Sequence, residues 1–332
     1  MKLIIPMAGR GTRVRPHSHV TPKPLLNVKG KSMVERIIDT FVAVLPRGLD
    51  EAVFVLGPDF GEDVRRQLAD ICEKNNIQPY FRVQDKAQGT AHAVICADDR
   101  LEGEGIVVFA DTLFGMEPGV DLEDADVIAW VKHVDDPSRF GVAVRKGDNI
   151  VAFVEKPKEP ISNEALIGIY YVKDLTKLRR AIEYLIENDV TGHGSEYQLT
   201  DAFDRLLKEG LVFKTATVTE WLDCGTIDAL LDTTRVILDK ENGDLRQGSV
   251  ENSVIREPVY VGPGARVTGS VVGPYVSVEA GAQVSGSVIQ DSIIFSDAQV
   301  DHAMLKDSLV GRYAKIKGHA HRVNVGDHTE LG

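Results

Sequence analysis

At 332 residues, with 43% hydrophobic and 27% charged side chains, the chain has a globular balance and the length of two domains. Its formal net charge of −12 repels polyanions, so nucleic acid is not an expected partner and any nucleotide site has to be locally basic. The three cysteines, Cys72, Cys96 and Cys224, stand far apart with no C-x-x-C pair, and no apolar run approaches a membrane span. A disulfide framework, a cysteine zinc site and a membrane are therefore not expected; a reducing, cytoplasmic setting is.

Leu3–Pro6 reads as a buried strand that runs into Ala8-Gly9-Arg10-Gly11-Thr12-Arg13. Two glycines just past a strand let backbone N–H groups approach an anion, and Arg13 and Arg15 add cationic forks. Val14 stands where a dinucleotide fingerprint needs its third glycine, and Leu25 where a P-loop ending at Gly30-Lys31-Ser32 needs its first, so this phosphate loop is of another type. Lys23 follows, held between Pro22 and Pro24. His17 and His19, between Arg15 and Lys23, read as solvated loop histidines.

Met33, Ile37, Phe41 and Leu45, with Val34, Ile38 and Val42 beside them, form one apolar helical face opposite Glu35, Arg36 and Asp39. Ala52–Leu56, Gly105–Ala110 and Asp126–Val131 read as further buried strands. Strand, helix and strand in repetition predict a largely parallel sheet, which binds ligands at the carboxyl ends of its strands.

After Lys240 the texture changes. Residues 241–248 are polar, contain two glycines and read as a linker between a domain over 1–240 and one over 249–332. In the second, Ser253-Val254-Ile255, Ser270-Val271-Val272 and Ser287-Val288-Ile289 recur at steps of 17 residues, and aliphatics stand six apart. That is the signature of a hexapeptide-repeat, left-handed β-helix. Its flat walls predict assembly into a homo-oligomer, with nothing contributed to chemistry. His319, His321 and His328 read as an exposed tail.

The loop and the Thr21-Pro22-Lys23-Pro24-Leu25-Leu26 run together resemble the signature of the sugar-1-phosphate nucleotidyltransferases, the nucleotide-sugar pyrophosphorylases. Gln84, Gln88-Gly89-Thr90-Ala91, Asp111-Thr112, Phe140-Gly141-Val142, Glu155-Lys156-Pro157, Gly194 to Asp201 and Trp221-Leu222-Asp223-Cys224-Gly225-Thr226 continue the likeness in family order. The resemblance implies an α/β, Rossmann-like, mixed and mostly parallel sheet. It also implies attack of a sugar-phosphate oxygen on a nucleotide α-phosphate, pyrophosphate leaving, with Mg²⁺ as cofactor. Both reactants are anions, so charge neutralisation and alignment carry such chemistry.

Carried over by position, the catalytic residues are Arg13, Lys23, Asp111 and Asp223, the last two as metal ligands. Ala8, Gly9, Gly11, Thr12, Arg13, Lys23, Gln84, Gly89 and Thr90 would bind the nucleotide. Gly141, Glu155, Lys156, Asn163 and Glu196 would bind the sugar phosphate. Ala8, where related adenylyl, guanylyl and thymidylyl enzymes carry glycine, and the Gln-Gly-Thr-Ala stretch lean toward uridylyl enzymes. UTP or dTTP is the nucleotide they imply. Glu196-Tyr197-Gln198-Leu199-Thr200-Asp201 is similar to a glucose-1-phosphate enzyme pattern, while Leu166 replaces an asparagine that holds N-acetylglucosamine in relatives. Glucose 1-phosphate is therefore the first choice of sugar. The alternatives are a bifunctional nucleotidyl- and acetyltransferase, or a regulatory nucleotide-sugar-binding protein.

Overall fold

A computed structural model of the chain describes residues 1–9, 11–159, 161–241, 246–318 and 322–331. It divides into two compact units, Met1–Gly9 with Ile37–Trp221, and Arg10–Arg36 with Leu222–Gly332.

The first unit is built on a nine-stranded sheet of β1 (Lys2–Pro6), β2 (Glu51–Leu56), β3 (Gln78–Val83), β4 (Gly105–Val108), β5 (Val127–His133), β6 (Gly141–Lys146), β7 (Asn149–Glu155), β8 (Glu164–Val172) and β9 (Phe213–Thr217). Their order across the sheet is β3-β2-β1-β4-β8-β5-β9-β7-β6. The first four are parallel, as their continuous apolar runs predict: Leu3, Ile4 and Ile5, Val53 to Leu56, and Ile106 to Val108 are all buried. Beyond them the expectation of a mostly parallel sheet fails. β8 enters antiparallel between β4 and β5, and β7 is antiparallel to both β9 and β6. The β6–β7 pair is antiparallel because the two-residue turn Gly147-Asp148, not a crossover helix, joins its strands.

Helices α1 (Met33–Val44), α2 (Glu62–Lys74), α3 (Thr90–Ile95), α4 (Leu175–Glu187) and α5 (Leu199–Lys208) punctuate these strands. In α1, Met33, Val34, Ile37, Ile38 and Phe41 are buried as predicted, but Val42 is 47% exposed. Val42 lies about 40° further round the helix than Ile38, just past the edge of the apolar stripe. Asp174 caps α4 by accepting a bond of 2.9 Å from the Thr176 amide. Phe153, Tyr170, Phe203 and Phe213 pack against one another between α5 and the sheet, with Tyr170 and Phe203 centroids 4.8 Å apart.

In the second unit the strands from Ser249 onward pair in three parallel sheets of six, four and five, an arrangement that fits a β-helix. Ser249 faces Arg266 and Arg266 faces Gln283, the predicted 17-residue step; from there Gln283 faces Gln299, a step of 16. Val267, Val284, Val300 and Ile316 point inward and are buried. The serine of each triplet turns out to be a coil-to-coil link. The Ser270 amide donates to Ser253 Oγ at 3.0 Å, the Ser287 amide to Ser270 Oγ at 3.0 Å, and the Ala303 amide to Ser287 Oγ at 3.1 Å. Residues 242–245 of the expected linker lie outside the described residues; the amides of Gln247 and Gly248 donate to the Val261 carbonyl at 2.8 and 3.1 Å.

Helix α6 (Ile227–Lys240) also belongs here. Thr226 caps it through the Ala229 amide, and Arg235 reaches Asp291 at 2.7 Å and Asp307 at 2.9 Å.

Candidate active site

Each unit carries part of the motif set. In the second, Thr12–Val14 and Lys23–Leu25 are single turns of tight helix, the latter started by Pro22 and Pro24. They lie side by side: a Cβ on Gly11 would stand 2.9 Å from Lys23 Cβ, and Ser18 Oγ donates to the Gly11 carbonyl at 2.7 Å. Gly11 has φ of 55°, so a side chain there would be both strained and obstructed. Lys23 is only 7% exposed, as its fixed position between prolines suggested. A Cβ on Gly225 would stand 2.8 Å from Asp223 Oδ1 and 3.5 Å from Arg13 Nη2, which places Arg13 and Asp223 at one spot. Asp223 is exposed, and its Oδ1 accepts a bond of 2.6 Å from the Gly225 amide.

His17 overturns its expectation. It is 1% exposed, its Nε2 lies 2.6 Å from Asn324 Oδ1, and its ring packs against Phe295. Burial pushes its pKa down from 6.5. His19 is exposed, as expected, and so is His328; His319 and His321 lie outside the described residues. The turn after Lys23 is held as firmly. Buried Glu279 accepts from Asn27 Nδ2 at 3.0 Å, from the Gly30 amide at 3.2 Å and from Ser277 Oγ at 2.7 Å.

In the first unit, Ala8, Gly57, Gln84 and Asp111 follow the carboxyl ends of β1, β2, β3 and β4, one edge of the parallel half of the sheet. Asp111 is exposed there, after the buried Ala110. Gln84 is buried, and its Nε2 lies 2.9 Å from His92 Nδ1. Gly89, with φ of 114°, is clasped to the later Glu-x-Q-L motif: a Cβ on it would collide with the Tyr197 carbonyl. The Ala91 amide donates to that carbonyl at 2.9 Å, and the Tyr197 amide to the Gln88 carbonyl at 2.9 Å. Thr90 Oγ1 donates to Gln198 Oε1 at 3.1 Å and accepts from the Leu199 amide at 2.9 Å. No sequence motif signals this clasp, because its halves are over a hundred residues apart and two of its four bonds are backbone to backbone.

Gly141 faces Glu155 across the β6–β7 ladder, and the Lys156 amide donates to the Phe140 carbonyl at 3.0 Å. A Cβ at Gly141 would stand 2.8 Å from Glu155 Oε2, so glycine keeps that carboxylate open. Lys156 is exposed with φ of 46°. Glu196 is exposed and receives Gln198 Nε2 at 3.3 Å. Asn163 Nδ2 donates to the Val134 carbonyl at 2.9 Å, which leaves its oxygen and its second N–H for a ligand. Thus Gly141, Glu155 and Lys156 are brought together, as are Gly89, Thr90 and Gln198.

Sequence comparison matches residues 2–240 to the family described as Nucleotidyl transferase. The chain belongs to the nucleotidyl transferase family. It is 31% identical to the bifunctional protein GlmU of Methanocaldococcus jannaschii over 80% of this chain and 61% of that protein's length. It is 26% identical to a glucose-1-phosphate thymidylyltransferase of Streptomyces griseus, over 99% of this chain and 98% of that one. Among solved structures, a candidate glucose-1-phosphate thymidylyltransferase from Bacillus anthracis, in complex with sucrose, superposes with a TM-score of 0.57. That match is 26% identical and covers 71% of this chain and 94% of the other. A UDP-glucose pyrophosphorylase shares the fold at a TM-score of 0.60 and 19% identity, over 72% of this chain and 98% of that one. The motif resemblance is therefore one of family, and the protein is an enzyme, a nucleotidyltransferase.

Proposed function

We propose that the protein transfers a nucleotidyl group from UTP or dTTP to a sugar 1-phosphate, with glucose 1-phosphate the first choice, and releases pyrophosphate. The observation that carries this reading is the clasp of Gly89 and Thr90 on Tyr197, Gln198 and Leu199, which joins the motif assigned to the base to the motif assigned to the sugar. The relatives named thymidylyltransferases align over nearly the whole chain and agree with it. In this reading residues 1–240 are the catalytic domain, 241–248 the linker and 249–332 a left-handed β-helix.

Arg13 and Lys23 neutralise the nucleotide phosphates, with Gly9, Gly11 and Thr12 giving the backbone close approach. Gln84 and Gly89 read the base. Lys156 pairs with the sugar phosphate as a point charge, and Glu155 and Glu196 accept bonds from sugar hydroxyls. Asp111 and Asp223 are exposed carboxylates, the hard oxygen donors Mg²⁺ takes, and one or two suffice because Mg²⁺ keeps waters and phosphate oxygens as its other ligands. When bound, the ion would supply charge neutralisation at the transferring phosphate.

We place the enzyme in the cytoplasm and in a homo-oligomer joined through the β-helix. Val254, Val271, Val288 and Met304 stand in register on one face of the coils, and Val254, Val288 and Met304 are exposed. The test of the main reading is pyrophosphate release from UTP, dTTP, GTP, CTP and ATP with a panel of sugar 1-phosphates. Turnover confined to purine nucleotides, or none with any sugar 1-phosphate, would refute it.

A further inference from the structure

Gln84 sits directly after β3, buried, with its amide nitrogen 2.9 Å from Nδ1 of His92 on α3. Sγ of Cys96, one turn further along, approaches the same nitrogen at 4.0 Å. An amide nitrogen carries only hydrogens and can only donate. Burial lowers the pKa of His92 and raises that of Cys96, so a neutral ring faces a protonated thiol. With the ring proton on Nε2, the Nδ1 lone pair accepts from both. Turning the Gln84 amide over would press its oxygen against that lone pair. In that tautomer the amide oxygen turns away from Nδ1, and Oε1 has no partner among the described residues.

We propose that His92 is a positioning residue for base selection: it holds the Gln84 amide so that Oε1 faces the base as an acceptor. A uracil or thymine ring offers N–H at N3 and satisfies that oxygen. Cytosine presents a lone pair at N3 and meets it with repulsion. A buried polar group left unpaired by the wrong substrate discriminates far more strongly than a methyl group does. The inference rests on the reading of Gln84 as a base contact and adds the residue that orients it.

The experiment measures the ratio of kcat/KM for UTP to that for CTP, with one sugar 1-phosphate held saturating, in the wild-type enzyme and in His92→Phe, His92→Asn and Gln84→Ala. Thermal midpoints establish that each variant is folded. The expected result is a ratio at least tenfold lower in His92→Phe, with kcat for UTP little changed. His92→Asn, which restores an acceptor, should return most of the ratio. An unchanged ratio in His92→Phe overturns the positioning role, as does an equal fall in His92→Phe and His92→Asn, which would make packing the cause. If Gln84→Ala keeps the wild-type ratio, the base contact itself is wrongly assigned. If only Gln84→Ala lowers it, the base contact stands and His92 alone is excluded.

Discussion

Nε2 of His17 lies 2.6 Å from Oδ1 of Asn324, linking the loop that follows β1 to the penultimate coil of the C-terminal repeats. His17 Nδ1 is buried without a hydrogen-bond partner, so protonating the ring would strand a charge in a dry site. Burial, the largest influence, lowers the His17 pKa below 6.5, although Asn324 and Asp327 oppose it. As pH falls below 6.5 the unfolded chain binds a proton that the native one refuses, so native stability is lost on acidification. The loss approaches about 1.4 kcal/mol per pH unit for one such group, until the folded-state pKa is reached. His92 acts in the same direction and buried Glu279, whose pKa is raised, in the opposite one. Subtraction therefore isolates His17: urea denaturation between pH 7.5 and 5.5 should show a shallower fall in His17→Gln than in wild type. Parallel curves would remove His17 from the account.

Glu279 is the second fastening. Asn27 Nδ2, the Gly30 amide and Ser277 Oγ all donate to its buried carboxylate. Glu279→Ala leaves three donors unmet, at about 1–3 kcal/mol for each that water cannot reach. Equilibrium unfolding should show a loss of several kcal/mol, and Ser277→Ala a smaller one. A Glu279→Ala protein as stable as wild type would mean that water already satisfies these donors.

How much of this the sequence carried depends on the kind of interaction. The strands β1, β2 and β4, the apolar face of α1 and the 17-residue step were legible because burial imposes a period on side chains. Lys23 was legible because two prolines leave its backbone little choice. His17 misled, because a histidine in a polar loop looks solvated until a partner three hundred residues away is brought to it. The antiparallel β6 and β7 were missed because Gly141–Lys146 and Asn149–Glu155 are only partly buried and alternate weakly. The Ser253, Ser270 and Ser287 ladder was visible as a repeat but not as a bond, since its donors are backbone amides.

Gly89 tests the clasp between the two motifs. Its φ of 114° disfavours any side chain, and a Cβ would strike the Tyr197 carbonyl. Gly89→Ala should therefore push Tyr197 and Gln198 away together, raising KM for both nucleotide and sugar phosphate by at least about tenfold, or 1.4 kcal/mol each. Steady-state kinetics with each substrate varied in turn provides the measurement. A rise confined to the nucleotide would show that the clasp does not couple the two substrates.

Asp111 and Asp223 test the metal. Replacing either with asparagine keeps size and removes charge, and loss of a catalytic electrostatic group costs about 10²–10³ in kcat. Both Asp111→Asn and Asp223→Asn should fall by at least about 10² with the fold intact by circular dichroism, and titration calorimetry with Mg²⁺ and nucleotide should show weakened metal binding. Near-wild-type turnover in both at saturating Mg²⁺ would end the assignment.

The β-helix was expected from sequence to assemble the enzyme and to leave its chemistry alone, so that truncation after Lys240 would cost less than tenfold in turnover. The contacts of the loop that follows β1 argue otherwise. His17, Thr21, Asn27 and Gly30 flank or immediately follow Lys23, and their partners Asn324, Asp327 and Glu279 all lie beyond residue 240. Arg235 of α6 likewise depends on Asp291 and Asp307. Truncation would expose His17, unmoor the Asn27–Gly30 turn and release the element that follows Asp223. A loop that has to be ordered at each binding event loses affinity in proportion to its competent fraction. The truncated enzyme should accordingly show a nucleotide KM raised more than the sugar-phosphate KM, and kcat/KM for the nucleotide lowered by well over tenfold. Because truncation also removes the proposed oligomer contact, the full-length Glu279→Ala, Asn324→Ala double variant separates the two roles. With its mass in light scattering unchanged, it should reproduce the rise in nucleotide KM. A double variant with wild-type KM, beside a truncated enzyme that is merely smaller and still active, would return the β-helix to assembly alone.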